Sequence, residues 1–389
     1  MCIKPDVQAS LSPPPGEVKA SLKAARPAAG AGGGGLRYPL SNDQQEVVLV
    51  VGLLVAGFAT SRFDRPGSGA RLRDLGLLYF AAAVVRKWYT AYLEAAWVDF
   101  PERRTQKTAV RRAERDTMGR TAEEEALIDY HDRLTGLSTF ALYVLSYAFA
   151  GERLYPAGLR VPDVVPAAVG PAYWVARLLA YHYCFSFGMY WAHRYLHVNK
   201  FLWRHIHSLH HFAKTPQARS TYMDHWFDNF FNAVICEFTA LVLVPLPFRL
   251  LAASKLLRIC ESLEKHSGVS GAINVVHTMQ QGLPFAQMPH HHDWHHEGHK
   301  GSNYTFASLG GLWDYAFGTR HHGRADGHAA PGATRLDKKM IDAGKARKKR
   351  QTLVNWDHPA VTPLPLLAFF AAAAHKWRLL DAAAAAAGP

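Results

Sequence analysis

Three histidine boxes at helical spacing constrain this chain more than any other feature. Residues 193–211, HRYLHVNKFLWRHIHSLHH, carry HxxxH (His193, His197) and HxxHH (His207, His210, His211). Residues 290–296, HHHDWHH, carry a second HxxHH (His292, His295, His296). Sixteen of the 22 histidines lie from His182 to His299, so the clustering is a property of one segment and not of overall composition. On an α-helix, residues i, i+3 and i+4 share a face, so each box turns its imidazoles toward one point. Neutral imidazole is a ligand for iron, zinc, copper and nickel. A tetrahedral zinc needs only about four ligands, and a catalytic zinc about three. Eight box histidines therefore suit two metals with open positions.

The remaining chain is an alternation of apolar blocks and charged loops. Residues 1–35 are rich in Pro, Ala and Gly and end in AGAGGGG, and the chain to residue 40 reads as a disordered N-terminal segment. They hold no apolar core of a secretory signal, while an organelle-targeting peptide stays open. Residues 41–164 read as membrane helices with a charged loop. Val47–Ala59 is short for a span, LGLLYFAAAVV (75–85) runs into aromatic residues suited to a membrane interface, and 101–133 carries a positive excess expected on the cytosolic side. Two crossings, through Leu134–Gly151 and Val164–Trp191, would return the chain to the cytosol at His193. Phe230–Ala253 is apolar with VPLP in its middle, which reads as a hairpin bend that re-enters on the histidine side. Residues 321–389 form a polar, basic C-terminal extension with KARKKR at 345–350 and a short apolar run at 364–374. Its histidines (His321, His322, His328, His358, His375) read as solvated.

The four cysteines (Cys2, Cys184, Cys236, Cys260) form no CxxC pair and read as reduced. The net charge of +13 is spread over loops between apolar blocks, which speaks against a nucleic-acid-binding protein. A zinc hydrolase is disfavoured because HRYLH has Arg194 where H-E-x-x-H needs Glu. A histidine-rich metal-binding or transport protein is the remaining alternative. The expected fold is all-α: an integral-membrane helical bundle with a cytosolic helical cap carrying a histidine-rich dinuclear metal site.

HRYLH, HSLHH and HDWHH, in that order and with an apolar hairpin before the third, resemble the fatty acid hydroxylase and sterol desaturase superfamily of membrane histidine-box enzymes. EKHSG (264–268), NYTF (303–306) and WDYAFGT (313–319) resemble further motifs of that superfamily. The resemblance covers residues 165–320, the fatty acid hydroxylase-like domain, and HHDWHH with EKHSG looks most like the 4-methylsterol monooxygenases. It implies a non-haem di-iron monooxygenase in the endoplasmic reticulum membrane, metal site toward the cytosol. It further implies O2 as oxidant, electrons from NAD(P)H through a cytochrome b5 and b5 reductase system, and a lipid substrate, with a sterol 4-methyl group favoured over another sterol or fatty acyl hydroxylation or desaturation. The implied ligands, which are also the catalytic residues, are His193, His197, His207, His210, His211, His292, His295 and His296. His266 is a ninth ligand, while His225, His277 and His291 stay open. Asp293, inside the third box, and Asp224 and Asp228, beside His225, are expected to orient imidazoles. Lys200 and Arg204, between the first two boxes, read as an exposed face, with contact to anionic lipid or an acidic electron donor as the alternative. Tyr190, Trp191, Phe201 and Trp226 are candidate pocket residues. His182 reads as core.

Overall fold

A computed structural model describes residues 47–49, 51–52, 55, 72–105, 122–150, 170–297, 301–307, 309–322, 333–344 and 354–386. Every regular element among them is helical, and the one β contact is an isolated antiparallel bridge between Arg104 and Val269. The all-α expectation holds. The disordered-segment and KARKKR readings lie outside the described residues.

Five long helices make the frame: α1 (Leu72–Asp99), α2 (Ala122–Ala150), α3 (Gly170–Val198), α5 (Trp226–Leu243) and α6 (Phe248–Lys265). Short helices carry the loops: α4 (Lys200–His205), α7 (Val275–Gln280), α8 (Pro289–Glu297), α9 (Gly311–Ala316) and α10 (Arg335–Asp342), followed by the longer α11 (Leu364–Ala386). α3 runs along α5, and Gly188 is what lets them meet. A Cβ there would lie 2.8 Å from Thr239 Oγ1 and 3.0 Å from the Cys236 Cα. VPLP does form a hairpin: α5 ends at Leu243, Pro247 caps α6, and Arg177 Nε donates to the Pro245 carbonyl at 2.7 Å. Pro245 and Pro247 offer no N–H to continue a helix, so the chain turns where its backbone has least to lose. Leu75, Leu78, Tyr79, Tyr143, Tyr181, Leu241 and Leu251 fill the space between α1, α2, α3, α5 and α6.

Among the described residues one helix, Trp226–Leu243, is long and apolar enough to cross a membrane. The apolar block expected at Leu134–Gly151 begins earlier, at Ala122, because AEEEALIDYHDR continues the same helix with its acidic first turn. The extension does not float free. α10 is capped by Thr334, whose hydroxyl accepts from the Asp337 amide at 3.2 Å while Asp337 accepts from the Thr334 amide at 3.1 Å. α11 sets Leu366 beside Tyr190, Trp191 and Tyr304. His321 and His322 are buried, against the expectation of solvated tail histidines, because His322 Nδ1 bonds Asp337 at 2.9 Å. His358 and His375 are exposed as expected, and His328 lies outside the described residues.

Candidate metal centre

The nine histidines separate into two adjoining clusters. His193, His197, His207, His211 and His295 form one, and His210, His266, His292 and His296 the other, with the ring nitrogens of each cluster within 4.8 Å of one another. The clusters touch: the His211 and His296 rings stack at 4.5 Å between centroids. Each HxxHH box is split. His207 and His211 face one way and His210 the other, while His292 and His296 face one way and His295 the other. The second box is not α-helical as expected but a 3-10 helix, His207–Phe212. The two boxes follow different helical geometry yet divide the same way, because each is approached from both sides.

The inward nitrogens have the spacing of ligands. In the five-histidine cluster the Nε2–Nε2 separations are 2.9 Å (His193–His207), 2.9 Å (His197–His207), 3.2 Å (His193–His197) and 3.2 Å (His207–His211). In the four-histidine cluster they are 2.9 Å (His266–His292), 3.1 Å (His292–His296) and 3.4 Å (His210–His266). Ligands at right angles around a metal with bonds of about 2.1 Å stand about 3 Å apart. The outward nitrogens explain why the inward ones present lone pairs. Nδ1–H of His266 donates to Ser262 O (2.8 Å), of His295 to Ser302 O (2.6 Å), of His296 to Ala213 O (3.0 Å), and of His193 to Tyr304 O. His207 Nδ1–H donates to Asp228 Oδ2 at 2.6 Å, and His210 Nδ1 pairs with Asp224 Oδ1 at 2.5 Å. With Nδ1 carrying the proton, Nε2 is unprotonated and points at other unprotonated Nε2 atoms. A cation between them removes that repulsion, and the donor set fits iron or another imidazole-binding metal.

Electrostatics agree. Burial, reinforced by neighbouring imidazoles, holds His211, His292, His295 and His296 well below the usual histidine range, and His266 down to about 3. Burial also pushes His210 down, but the carboxylates of Asp224 and Asp228 outweigh it and leave it raised. At neutral pH the four-histidine cluster thus has one imidazole in contact with negative charge, which offsets the charge of a bound cation.

The histidines left open are placed elsewhere. His277 is locked by Glu264 of EKHSG, which accepts from its ring Nδ1 at 2.5 Å and from its backbone amide at 2.9 Å. Glu264 also accepts from Val276 N and from the Tyr89 hydroxyl, so it ties α1 and α7 to the end of α6. His225 caps α5, accepting from Phe227 N at 3.2 Å, and lies against the His131 ring. His291 accepts from Met288 N (3.0 Å) at Nδ1 and donates from Nε2 to Asp337 Oδ1 (3.2 Å). With His290, these two make a third group of metal-capable residues. Arg320 already donates to Asp337 at 3.1 Å, so the carboxylate is neutralised, and the group reads as the anchor of α10.

Asp224 and Asp228 orient box imidazoles, though not the neighbouring His225. Asp293 instead accepts from the Thr105 hydroxyl at 2.6 Å. Two partners escaped the sequence reading. Asp314 of WDYAFGT accepts from Tyr304 N, Thr305 N and the Thr319 hydroxyl, and so fixes the NYTF loop whose Tyr304 carbonyl receives His193. Arg194, inside the first box, donates to Asp357 at 2.7 Å and to Tyr190 Oη at 2.5 Å, bringing the C-terminal extension onto the site. NYTF and WDYAFGT were visible as motifs; nothing in the sequence signals Asp357. Lys200 and Arg204 are exposed.

A cavity of about 230 Å³ reaches the clusters, bordered by His193, His207, His210, His266 and Phe306 at one end. That is space for a chain-like ligand and not for one or two waters. Tyr190 and Trp191 are buried elsewhere, and Phe201 and Trp226 are surface residues; Tyr79, Tyr143, Tyr181 and Phe185 line the cavity in their place.

Residues 178–319 match the fatty acid hydroxylase family. The hydroxylase segment contains all nine clustered histidines, and the resemblance read from the boxes is confirmed for it. Similar proteins include a very-long-chain aldehyde decarbonylase, GL1-10, of Oryza sativa subsp. japonica, 29% identical over 202 residues (51% of this chain, 63% of the relative). Methylsterol monooxygenase 1-3 of Arabidopsis thaliana is 30% identical over 178 residues (46% and 57%). Very-long-chain aldehyde decarbonylase GL1-9 of Oryza sativa subsp. indica is 27% identical over 131 residues (33% and 48%). The chain thus spans roughly half the length of these relatives. No solved structure matches it significantly.

Proposed function

We propose that the hydroxylase segment is a dinuclear iron oxygenase acting on a lipid C–H bond. The observation that carries this is the partition of nine imidazoles, eight buried and His197 half-buried, into sets of five and four with ligand spacing. His193, His197, His207, His211 and His295 would hold one iron, and His210, His266, His292 and His296 the other. Iron so held supplies the redox chemistry with O2 that side-chain acid–base groups lack. In the overall reaction one oxygen atom enters the C–H bond as hydroxyl and the other leaves as water. An external donor provides two electrons and two protons, with NAD(P)H and a cytochrome b5-type carrier as the proposed source.

The protein's own part is positioning. Asp228 and Asp224 hold His207 and His210 in the tautomer that leaves Nε2 free. The Tyr304, Ser302, Ser262 and Ala213 carbonyls do the same for His193, His295, His266 and His296. Phe306, against the His193 and His292 rings, shields the metal end of the cavity from water.

The length and apolar character of α5 support a membrane location. The reading puts the box segment (165–320) on the cytosolic face of the endoplasmic reticulum, with membrane helices before it and the extension (321–389) packed onto it. A sterol 4-methyl group as substrate is supported by the likeness of HHDWHH and EKHSG and by the methylsterol monooxygenase relatives. The test is metal content of the purified protein together with mass spectrometry of total sterols and fatty acids in cells expressing it. Two irons per chain and a new oxidised lipid are expected. One metal or none, with unchanged lipids beside a working electron-transfer chain, refutes the proposal.

A further inference from the structure

The cavity that begins at the histidines ends at charged groups. α3, α5 and α6 all lead away from the metal end, and each supplies a cavity residue or its neighbour at both ends. His193 and His182 lie eleven residues apart on α3, Asp228 and Glu237 nine apart on α5, and His266 and Lys255 eleven apart at and along α6. At 1.5 Å per residue, the far level is about 14–17 Å from the histidine level by three independent helices. The three far residues do meet: Lys255 Nζ donates to Glu237 Oε2 at 2.7 Å, and the neighbouring Ser254 hydroxyl lies 3.3 Å from His182 Nε2.

A buried ion pair is a poor stabiliser, since desolvation consumes most of what the attraction supplies. In an apolar bundle such a pair marks a site by default. Here it is also incomplete. Glu237 is 4% exposed and lines the cavity, and its second oxygen, Oε1, has no hydrogen-bond partner among the described residues. One turn from Lys255 on the side toward His266, Arg258 lines the same cavity; its Nη1 is occupied by Glu261, while its Nε–H is buried and without a partner among the described residues. An open acceptor and an open donor border the same end of one cavity. Lys255 pairs with Glu237 and Arg258 with Glu261, so each of these two cations already has its counter-charge and neither calls for a carboxylate. An aldehyde or ester accepts but cannot donate. A hydroxyl does both.

Resting on the oxygenase reading above, we propose that Glu237 and Arg258 form a head-group subsite for a hydroxyl-bearing lipid, either a 3-hydroxysterol or a long-chain alcohol. Glu237 is nine residues from Asp228 on α5 and Arg258 is eight from His266, so the lipid is then oxidised at a carbon roughly 12–14 Å from its hydroxyl. This differs from oxidation of a sterol 4-methyl group, which adjoins the carbon bearing the hydroxyl and would require the hydroxyl near the histidines.

The test uses the full-length, iron-loaded protein in detergent, with tritiated cholesterol and tritiated hexadecan-1-ol as probes and their O-methyl ethers as competitors. One of the two alcohols should bind, and its ether should bind about tenfold or more weakly, the usual cost of losing a hydrogen bond to a charged group. Glu237→Asp, which keeps the charge for Lys255 but withdraws the oxygen, should erase the preference while two irons per chain remain. Which alcohol binds decides the sterol or chain source. In turnover with the bound probe, mass spectrometry should place the new hydroxyl remote from the original one. Equal binding of alcohol and ether, binding of neither alcohol, or oxidation beside the hydroxyl overturns the subsite. Preference for the alcohol in a protein that binds no iron would keep the subsite and refute the oxygenase reading instead.

Discussion

Replacing Asp228 by Asn tests the metal centre without removing a ligand. Asp228 accepts from His207 Nδ1–H at 2.6 Å through Oδ2 and from Asn232 Nδ2 at 2.6 Å through Oδ1. Both neighbours are donors, and Asp228 is buried. An asparagine has one acceptor atom; if it serves His207, its NH2 meets Asn232, whose Oδ1 has no hydrogen-bond partner among the described residues and can turn to accept. The hydrogen bond that fixes His207 changes from charge-assisted to neutral, which is roughly half as strong, or opens altogether. The loss is about 1–2 kcal/mol, and about tenfold in affinity for the metal His207 would hold. That falls within the range of about 10–100-fold seen when partners of ligating histidines are removed. The assay is iron retained per chain after dialysis against graded chelator. Asp228→Asn should lose one iron at about tenfold less chelator than wild type and keep the other unchanged. Asp224→Asn, which touches His210 of the other cluster, should show the same shift for the other iron. Unaltered retention in Asp228→Asn, or simultaneous loss of both irons, would refute the assignment of His207 and His210 to different metals.

Other expectations follow from the same contacts. His295→Ala removes one of the proposed ligands, and should lower the proposed lipid oxidation by more than about 100-fold, beyond the effect of an outer partner. His358→Ala, at an exposed site, should leave both activity and stability within about 0.5 kcal/mol of wild type. Gly188→Ala forces a methyl against the Cys236 backbone and Thr239, and should cost about 1–3 kcal/mol in unfolding of the detergent-solubilised protein. Asp337→Asn leaves Arg320 buried without its carboxylate, and should cost roughly 3–5 kcal/mol at neutral pH. Burial alone would raise the Asp337 carboxyl, but His291 and Arg320 hold it well below the usual carboxylate range. Its stabilisation is therefore complete above pH of about 4 and lost as pH falls toward the native value. The stability gap between wild type and Asp337→Asn should accordingly narrow in acid; a gap that widens there would contradict the ion-pair account.

The sequence made the metal-capable residues legible because imidazole spacing is local: a period of three and four residues can be read without knowing the fold. The hairpin at VPLP was legible for the same reason, since proline acts on its own backbone. What could not be read was how the boxes are shared. His210 and His211 are neighbours in sequence but face different clusters, and that depends on which helices approach from each side. The placing of His266, and not His277, in a cluster was equally non-local, since Glu264 holds His277 away from it. Asp224 and Asp228 lay beside His225 in sequence, yet they reach across to His210 and His207. The buried tail histidines were misread because the partner of His322, Asp337, sits on a helix with no recognisable motif.

The partition of the histidines has a consequence for how the protein is made. Each cluster draws on residues more than 80 positions apart: the five-histidine set runs from His193 to His295 and the four-histidine set from His210 to His296. Four of the five histidines of the first set lie between His193 and His211 and are made together, whereas the four-histidine set cannot close until the last box has been synthesised and α8 has docked. On the iron reading proposed above, the second ion therefore enters last. Cells short of iron should accumulate a half-loaded form and pass it to quality control, so the abundance of the protein, and not only its activity, should follow iron supply.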